Sequence, residues 1–377
     1  MALDAGSAQR LVETYIWNTF AVLNHQFTLP SSQAQPSVTL RSRVNPGTYI
    51  FNPHNRSLEA GRATESCRTY SWPGKTANEA WRFTVIIRVL TVIHRAIRSK
   101  ITITKRDIYY IDPAYFKSQS TIDSIIDDIA YTIGVDRVAL NVEAAGKGLV
   151  AGSFVLRRNS QIIVDARGPQ DTLVPRIYKD DEIDIFRTRW VLLVEKDAVF
   201  HRLVSNNYHT AALAGEGIIV TGKGYPDIFT RAFVRRLLDH ISQEKSRVFP
   251  FYALVDGDPD GLAIMSIYKY GSAAHAHDNY MLTTPTLQCL GLRLSDAVSR
   301  PTIHTSNENL PLSIRDRRKV ISMLQNNPIW ANDGPEREYR VELQKMLILN
   351  IKAEIETLYS YEGGLEAWID RRMFRQE

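Results

Sequence analysis

Three short apolar runs, each closing on a turn or a carboxylate, most restrict what this chain can fold into. WVLLV ends at Glu195, GIIVT ends at Gly222 and FYALV ends at Asp256. They are almost continuously apolar rather than alternating, so each reads as a strand covered on both faces, and each precedes a stretch able to form a helix. That succession predicts an α/β domain. A weaker fourth strand is expected within Leu287–Leu292. Further on, Leu343, Leu347 and Ile351 at four-residue intervals predict a helical face across Tyr339–Leu358.

The half of the chain before these runs has helical periodicity instead. Between Ala80 and Ile97 the residues Trp81, Val85, Val89 and Ile93 recur every fourth position, and Ile86, Leu90 and Ile97 widen the buried face. Thr104 with Asp107 three residues on fits an N-cap and its acidic partner. Ser120 is expected to cap a second helix carrying Ile122, Ile125, Ile126, Ile129 and Ile133, and Asp136 to begin a third through Val138, Leu140 and Val142. Ser153–Leu156 and Gln161–Val164 flank RRNS and predict a hairpin. Three helices and a hairpin are the parts of a winged-helix module. Before Ser71 the sequence is rich in Ser, Pro, Asn and Arg, and only the stretch around Leu11, Tyr15 and Phe20 looks helical.

At 377 residues, with 44% hydrophobic and 23% charged residues, the chain has material for two or three folded domains. Its two cysteines, Cys67 and Cys289, are too few for a disulfide framework or a structural zinc site, which favours a reducing location. No apolar run approaches a membrane span, and the start lacks signal-peptide order. The net charge of +5 is too modest to name a partner. Its distribution says more, because Arg82 to Lys117 holds eight Lys/Arg against Asp107 and Asp112, a surface suited to phosphates.

Two constellations carry chemistry. Glu195 and the run Asp256-Gly257-Asp258-Pro259-Asp260 end separate strands, and the carboxyl ends of strands form the ligand crevice of an open α/β sheet. Glu195, Asp256 and Asp258 there could hold Mg²⁺ through hard oxygen ligands. Asp260 fits either a further metal contact or a helix cap. The second constellation is KRDIYY at Lys105–Tyr110, where a phenol could attack phosphorus and Arg106 could stabilise the developing charge. By spacing alone Tyr109 and Tyr110 are near-equal candidates. PGKT at Pro73–Thr76 is no Walker A loop, since Thr69 stands where its first glycine belongs. His275 and His277 lack a ligand set for zinc, and His201 is assigned no role.

Read together, PGKTANEAWRF, KRDIYYIDPAYF, RVALNVEAAGKGLVAG, VEKDAVFHRL, GKGYPDIFTR and VDGDPDG resemble the eukaryotic meiotic double-strand-break transesterases, relatives of the A subunit of archaeal topoisomerase VI. The resemblance runs from about Pro73 to the carboxyl end. It implies an arm over residues 1–72, a winged-helix DNA-binding domain over 73–175 and a Toprim α/β domain over 176–377. It implies Tyr110 as nucleophile with Arg106 in support, Glu195, Asp256 and Asp258 as Mg²⁺ ligands, and Lys147 and Lys223 on DNA phosphates. The implied reaction is transesterification of duplex DNA that leaves 5′-phosphotyrosyl ends. The implied partners are a second copy of the chain in a homodimer, accessory meiotic break proteins and a topoisomerase VI B-like subunit, on meiotic chromosomes in the nucleus. A metal-dependent DNA hydrolase and a catalytically silent DNA scaffold are the competing readings.

Overall fold

The computed structural model describes residues 5–30, 33–42, 49–61, 66–143, 146–178, 180–243, 249–273, 276, 279–298 and 309–374. The chain divides into two compact units, Met1–Gly47 with Arg62–Ala145, and Thr48–Gly61 with Gly146–Glu377.

The first unit is mainly helical. Its long helix Ala77–Arg98 starts where Thr76 accepts the N–H of Glu79, and it buries the expected Val85, Ile86, Val89, Leu90, Ile93 and Ile97. Helix Lys105–Ile111 opens on the expected cap, in which Thr104 Oγ1 accepts from the Asp107 N–H at 3.0 Å and Asp107 Oδ2 accepts from the Thr104 N–H at 2.8 Å. Helix Gln119–Ile133 packs Ile122, Ile125, Ile126 and Ile129 into the same core. Its cap is Ser118, whose Oγ accepts from the Thr121 N–H, and Ser120 falls inside the first turn.

One further expectation fails here, while the helix expected around Leu11, Tyr15 and Phe20 forms. Asp136 opens only a 3₁₀ turn, Arg137–Leu140, because Asn141 adopts a left-handed φ of 52° and Val142 leaves to pair with Ile103. The arm is also more ordered than its composition implies. Helix Ala5–Thr28 buries Val12, Ile16 and Leu23, while strands Ser37–Ser42 and Ser66–Ser71 pair antiparallel. Alternation of Val38 and Leu40 with Thr39 and Arg41 is the period-two signal of that first strand.

The second unit is built on a six-stranded sheet. Strand Trp190–Val194 lies at its centre, parallel to Gly217–Thr221 on one side and to Phe251–Leu254 on the other. Gln288–Gly291 adds to Phe251–Leu254 in parallel, and Leu149–Gly152 and Thr172–Leu173 extend the opposite edge antiparallel. All three predicted runs are fully buried strands, and helices Asp197–Ser205, Ile228–Gln243 and Pro259–Tyr270 follow them.

The expected hairpin forms as Val155–Arg158 and Gln161–Asp165 within this second unit, where Glu182–Asp184 makes its third strand. Asn159 and Ser160 both have positive φ, the backbone of a tight two-residue turn that follows strand twist. The helix expected across Tyr339–Leu358 is Arg337–Leu349 and stops at Leu349. Asn350 turns left-handed at φ 55°, and Ile351–Ala353 continues as a strand paired with Asn309–Pro311, so Ile351 belongs to no helical face. No helix among the described residues is long and apolar enough to cross a membrane. His275 and His277 lie outside the described residues.

Candidate active site

In the helical unit, the cap at Thr104 fixes where the short helix starts and hence which side of it each residue of KRDIYY faces. Ile108 is buried, Tyr109 packs part-buried against the core, and Tyr110 stands 67% exposed. The two rings lie 5.5 Å apart, tilted by 56°. Arg106 is exposed and precedes Tyr110 by four residues, so both share one face of the helix. Lys105 turns the other way and pairs with Asp127 at 3.2 Å. The helix ends at Asp112, whose carboxylate accepts the N–H of Tyr115.

In the sheet unit, parallel pairing of neighbouring strands brings Glu195 and Asp256 to one edge although 61 residues separate them. Glu195, Asp256 and Asp258 each accept a backbone N–H there. Asp256 donates to Glu195 Oε2 at 2.9 Å, Ile355 to Asp256 Oδ1 at 2.8 Å, and Gly261 to Asp258 Oδ1 at 2.7 Å. These bonds orient the carboxylates. Close approach depends on Gly261, where a Cβ would stand 2.4 Å from the Asp256 carbonyl oxygen and 3.0 Å from Glu195 Oε2.

Crowding sets the electrostatics. Burial, and then the charge of Asp256, holds the Glu195 carboxyl well above the ordinary range. Burial also raises Asp256, against the opposing pull of Lys196, and raises Asp258. Burial and mutual repulsion thus both disfavour full ionisation of the three acids together. Among the described residues, no group of three or more His, Cys, Asp or Glu side chains is placed to hold a metal ion.

Asp260 stands apart from this trio. It accepts from Tyr225 Oη at 2.8 Å and pairs with Lys319, and those partners outweigh burial and lower its pKa. The cap of helix Pro259–Tyr270 is Asp258. Lys147 and Lys223 meet beside Gly222–Gly224, where Lys147 Nζ donates to the Lys223 carbonyl at 2.9 Å and Lys223 Nζ lies 3.4 Å from Asp197. Lys223 holds a positive φ of 51°, and Gly224 donates its N–H to the Glu195 carbonyl at 2.9 Å, tying this turn to the acidic edge.

The family model for the Toprim domain of Spo11 and of the topoisomerase 6 A subunit matches residues 190–366, and the one described as "Type IIB DNA topoisomerase" matches residues 81–142. Meiotic recombination protein rec12 of Schizosaccharomyces pombe is 34% identical over 365 residues, covering 97% of this chain and 96% of its own. The chain belongs to the family of SPO11 and the topoisomerase VI A subunit. Meiotic recombination protein SPO11 of Mus musculus is 35% identical over 305 residues, covering 79% of this chain and 72% of its own. Meiotic recombination protein SPO11-1 of Arabidopsis thaliana is 32% identical over 334 residues, covering 87% of each chain.

In this member of the SPO11 family, the carboxyl-terminal stretch around the acids was the part hardest to foresee. Lys196 places Nζ 3.0 Å from Asp256 Oδ2, and it also pairs with Glu356 at 2.5 Å and Glu354 at 3.7 Å. Its adjacency to Glu195 was the one available signal. Glu354 and Glu356 gave none, because IKAEIETL reads as helix continuation until the strand at Ile351 is known.

Proposed function

We propose that this chain is the DNA-cleaving subunit of a type IIB topoisomerase-like transesterase that makes meiotic double-strand breaks. The observation that carries the reading is Tyr110, exposed on a short capped helix beside Arg106 in a chain that also carries the carboxylates of Glu195, buried Asp256 and Asp258 at the ends of its sheet strands. Relatives named as meiotic recombination proteins support the biological setting, the nucleus and its meiotic chromosomes.

In this reaction the Tyr110 phenol gives up its proton and its oxygen bonds to phosphorus. The bond from phosphorus to the 3′ oxygen breaks, that oxygen takes up a proton and leaves as a hydroxyl, and a 5′-phosphotyrosyl bond remains. Arg106, on the same helix face, binds a non-bridging oxygen as its charge grows. Glu195, Asp256 and Asp258 would hold Mg²⁺, which when bound would supply positive charge to neutralise and orient the phosphate. Lys147 and Lys223 bind flanking phosphates. Helices within residues 73–175 dock on the duplex as in a winged-helix domain, ahead of the Toprim domain assigned to 176–377.

A homodimer pairs Tyr110 of one protomer with the acids of the other, so two sites cut opposite strands. Accessory break proteins, with a topoisomerase VI B-like subunit, assemble and license it. The test is cleavage by the full assembly with Mg²⁺, followed by denaturation, nuclease trimming and peptide mass spectrometry. A nucleotide adduct on Tyr110 is expected. Free ends without an adduct favour the hydrolase, and DNA binding without cleavage by a complete assembly favours the scaffold.

A further inference from the structure

We infer that Lys105 is a positioning residue for the reaction, its ammonium fixing how the Tyr110 helix is turned about its axis and so where Tyr110 and Arg106 point. The inference rests on the reading of Tyr110 as nucleophile and concerns what aligns it.

Helix Lys105–Ile111 is seven residues long, too short to hold itself by propensity, so its setting depends on what it packs against. Two pairs at four-residue spacing divide its surface. Arg106 and Tyr110 are the exposed pair, and Lys105 and Tyr109 lie on the side of Ile108, the one residue of this helix that is buried. Apolar packing therefore holds the helix chiefly at Ile108, with the Tyr109 ring beside it.

Lys105 supplies a second point one turn nearer the amino end. Its Nζ lies 3.2 Å from Asp127 Oδ1 and 3.6 Å from Asp123 Oδ1, two acids one turn apart on helix Gln119–Ile133. Asp127 Oδ1 is held in turn by Arg137 Nε at 2.6 Å, from the 3₁₀ turn Arg137–Leu140. The side chains of Lys105 and Asp127 are each 11% exposed, so this is no loose surface pair. One carboxylate thus ties the start of the Tyr110 helix to two other elements of the same core.

Burial pulls the Lys105 pKa down, and the charge of Asp127 opposes it. A buried ion pair adds little net stability once the cost of leaving water is counted. What this one adds is direction. A helix free to turn about Ile108 would swing Tyr110 and Arg106, on its outer side, through a wider arc than any core atom. Attack on phosphorus tolerates that poorly, since a misplacement of about 1 Å can cost about 100-fold in rate.

The test uses the full assembly with Mg²⁺ and saturating duplex, for wild type, Lys105→Arg and Lys105→Met. It reads the rate at which the adduct on Tyr110 forms, DNA affinity with its salt slope, and the denaturation midpoint. Lys105→Met keeps the apolar stem and loses the charge, while Asp127 keeps Arg137. Its adduct rate is expected to fall by about 10- to 100-fold, with midpoint, affinity and salt slope near wild type, and Lys105→Arg should recover most of the rate. Adduct formation at the wild-type rate in Lys105→Met overturns the inference and leaves Tyr110 the nucleophile. A rate that recovers fully when DNA is raised makes Lys105 a phosphate contact and overturns it too. So does a Lys105→Met chain that does not fold, since the lysine would then hold the fold rather than the aim. Wild type that cuts DNA without an adduct on Tyr110 overturns both readings.

Discussion

The backbone N–H of Asp256 donates to Oε2 of Glu195 at 2.9 Å, linking the carboxyl ends of two adjacent parallel strands. Glu195 therefore has a structural duty besides any metal it holds, and two substitutions separate the duties. Glu195→Gln keeps an acceptor for that N–H and is expected to fold normally with much weaker Mn²⁺ binding. Glu195→Ala leaves a buried donor unpaired and is expected to cost about 1–3 kcal/mol in addition. Urea unfolding and Mn²⁺ titration, run on both variants, check the split.

Tyr110→Phe deletes the phenolic oxygen from a solvent-facing ring and is expected to abolish covalent cleavage with folding and DNA affinity intact. Tyr109→Phe alters a part-buried ring against the core, so its cleavage should fall by far less. The readout is covalent protein–DNA complex formed by the full assembly. Undiminished complex in folded Tyr110→Phe would falsify the assignment.

Lys147 donates to the Lys223 carbonyl, so removing its side chain disturbs the turn as well as the charge. Lys147→Gln retains an N–H donor and loses only the charge. Binding to unrelated duplexes should weaken by similar factors, and the salt slope should fall by about one. A loss confined to particular sequences would point to base readout instead.

Gly261→Ala places a methyl group 2.4 Å from the Asp256 carbonyl oxygen, and backbone there cannot yield as a flexible side chain could. Overpacking of about 1–3 kcal/mol is expected. Because the same helix start orients Asp258, Mn²⁺ affinity should fall by about tenfold or more. Wild-type affinity in the folded variant would mean that Asp258 is not oriented by this contact.

Asp181 is gripped by Arg158, Nε to Oδ1 at 2.7 Å and a second guanidinium nitrogen to Oδ2 at 2.9 Å, and by the N–H of Tyr178. The arginine first, against burial, holds its pKa below the usual range. A depressed folded value means the carboxylate stabilises the fold above its unfolded pKa of about 3.9, and that this contribution is lost as pH falls through the folded value. Asp181→Asn should therefore cost about 1–3 kcal/mol at neutral pH, with the gap to wild type closing in acid. Denaturation midpoints at pH 7 and pH 3 test the sign.

Periodicity and end signals alone determined much of this protein. The runs closing at Glu195, Gly222 and Asp256 are the buried parallel strands expected, the helix through Val85 and Val89 buries its expected face, and Thr104 with Asp107 starts the helix bearing Tyr110. Those features rest on local rules, side-chain spacing and cap chemistry, which a sequence states directly. The tertiary structure decided what depends on partners far along the chain. Asp256 meets Ile355 across 99 residues, and Lys196 meets Glu356 across 160. Val142 and Ile351 left their expected helices because a strand elsewhere offered their backbone a partner. Tyr109 and Tyr110 are chemically identical neighbours, and only packing of one ring against the core makes the other the exposed one. A period names the face a residue presents. The order in which strands assemble determines what that face meets.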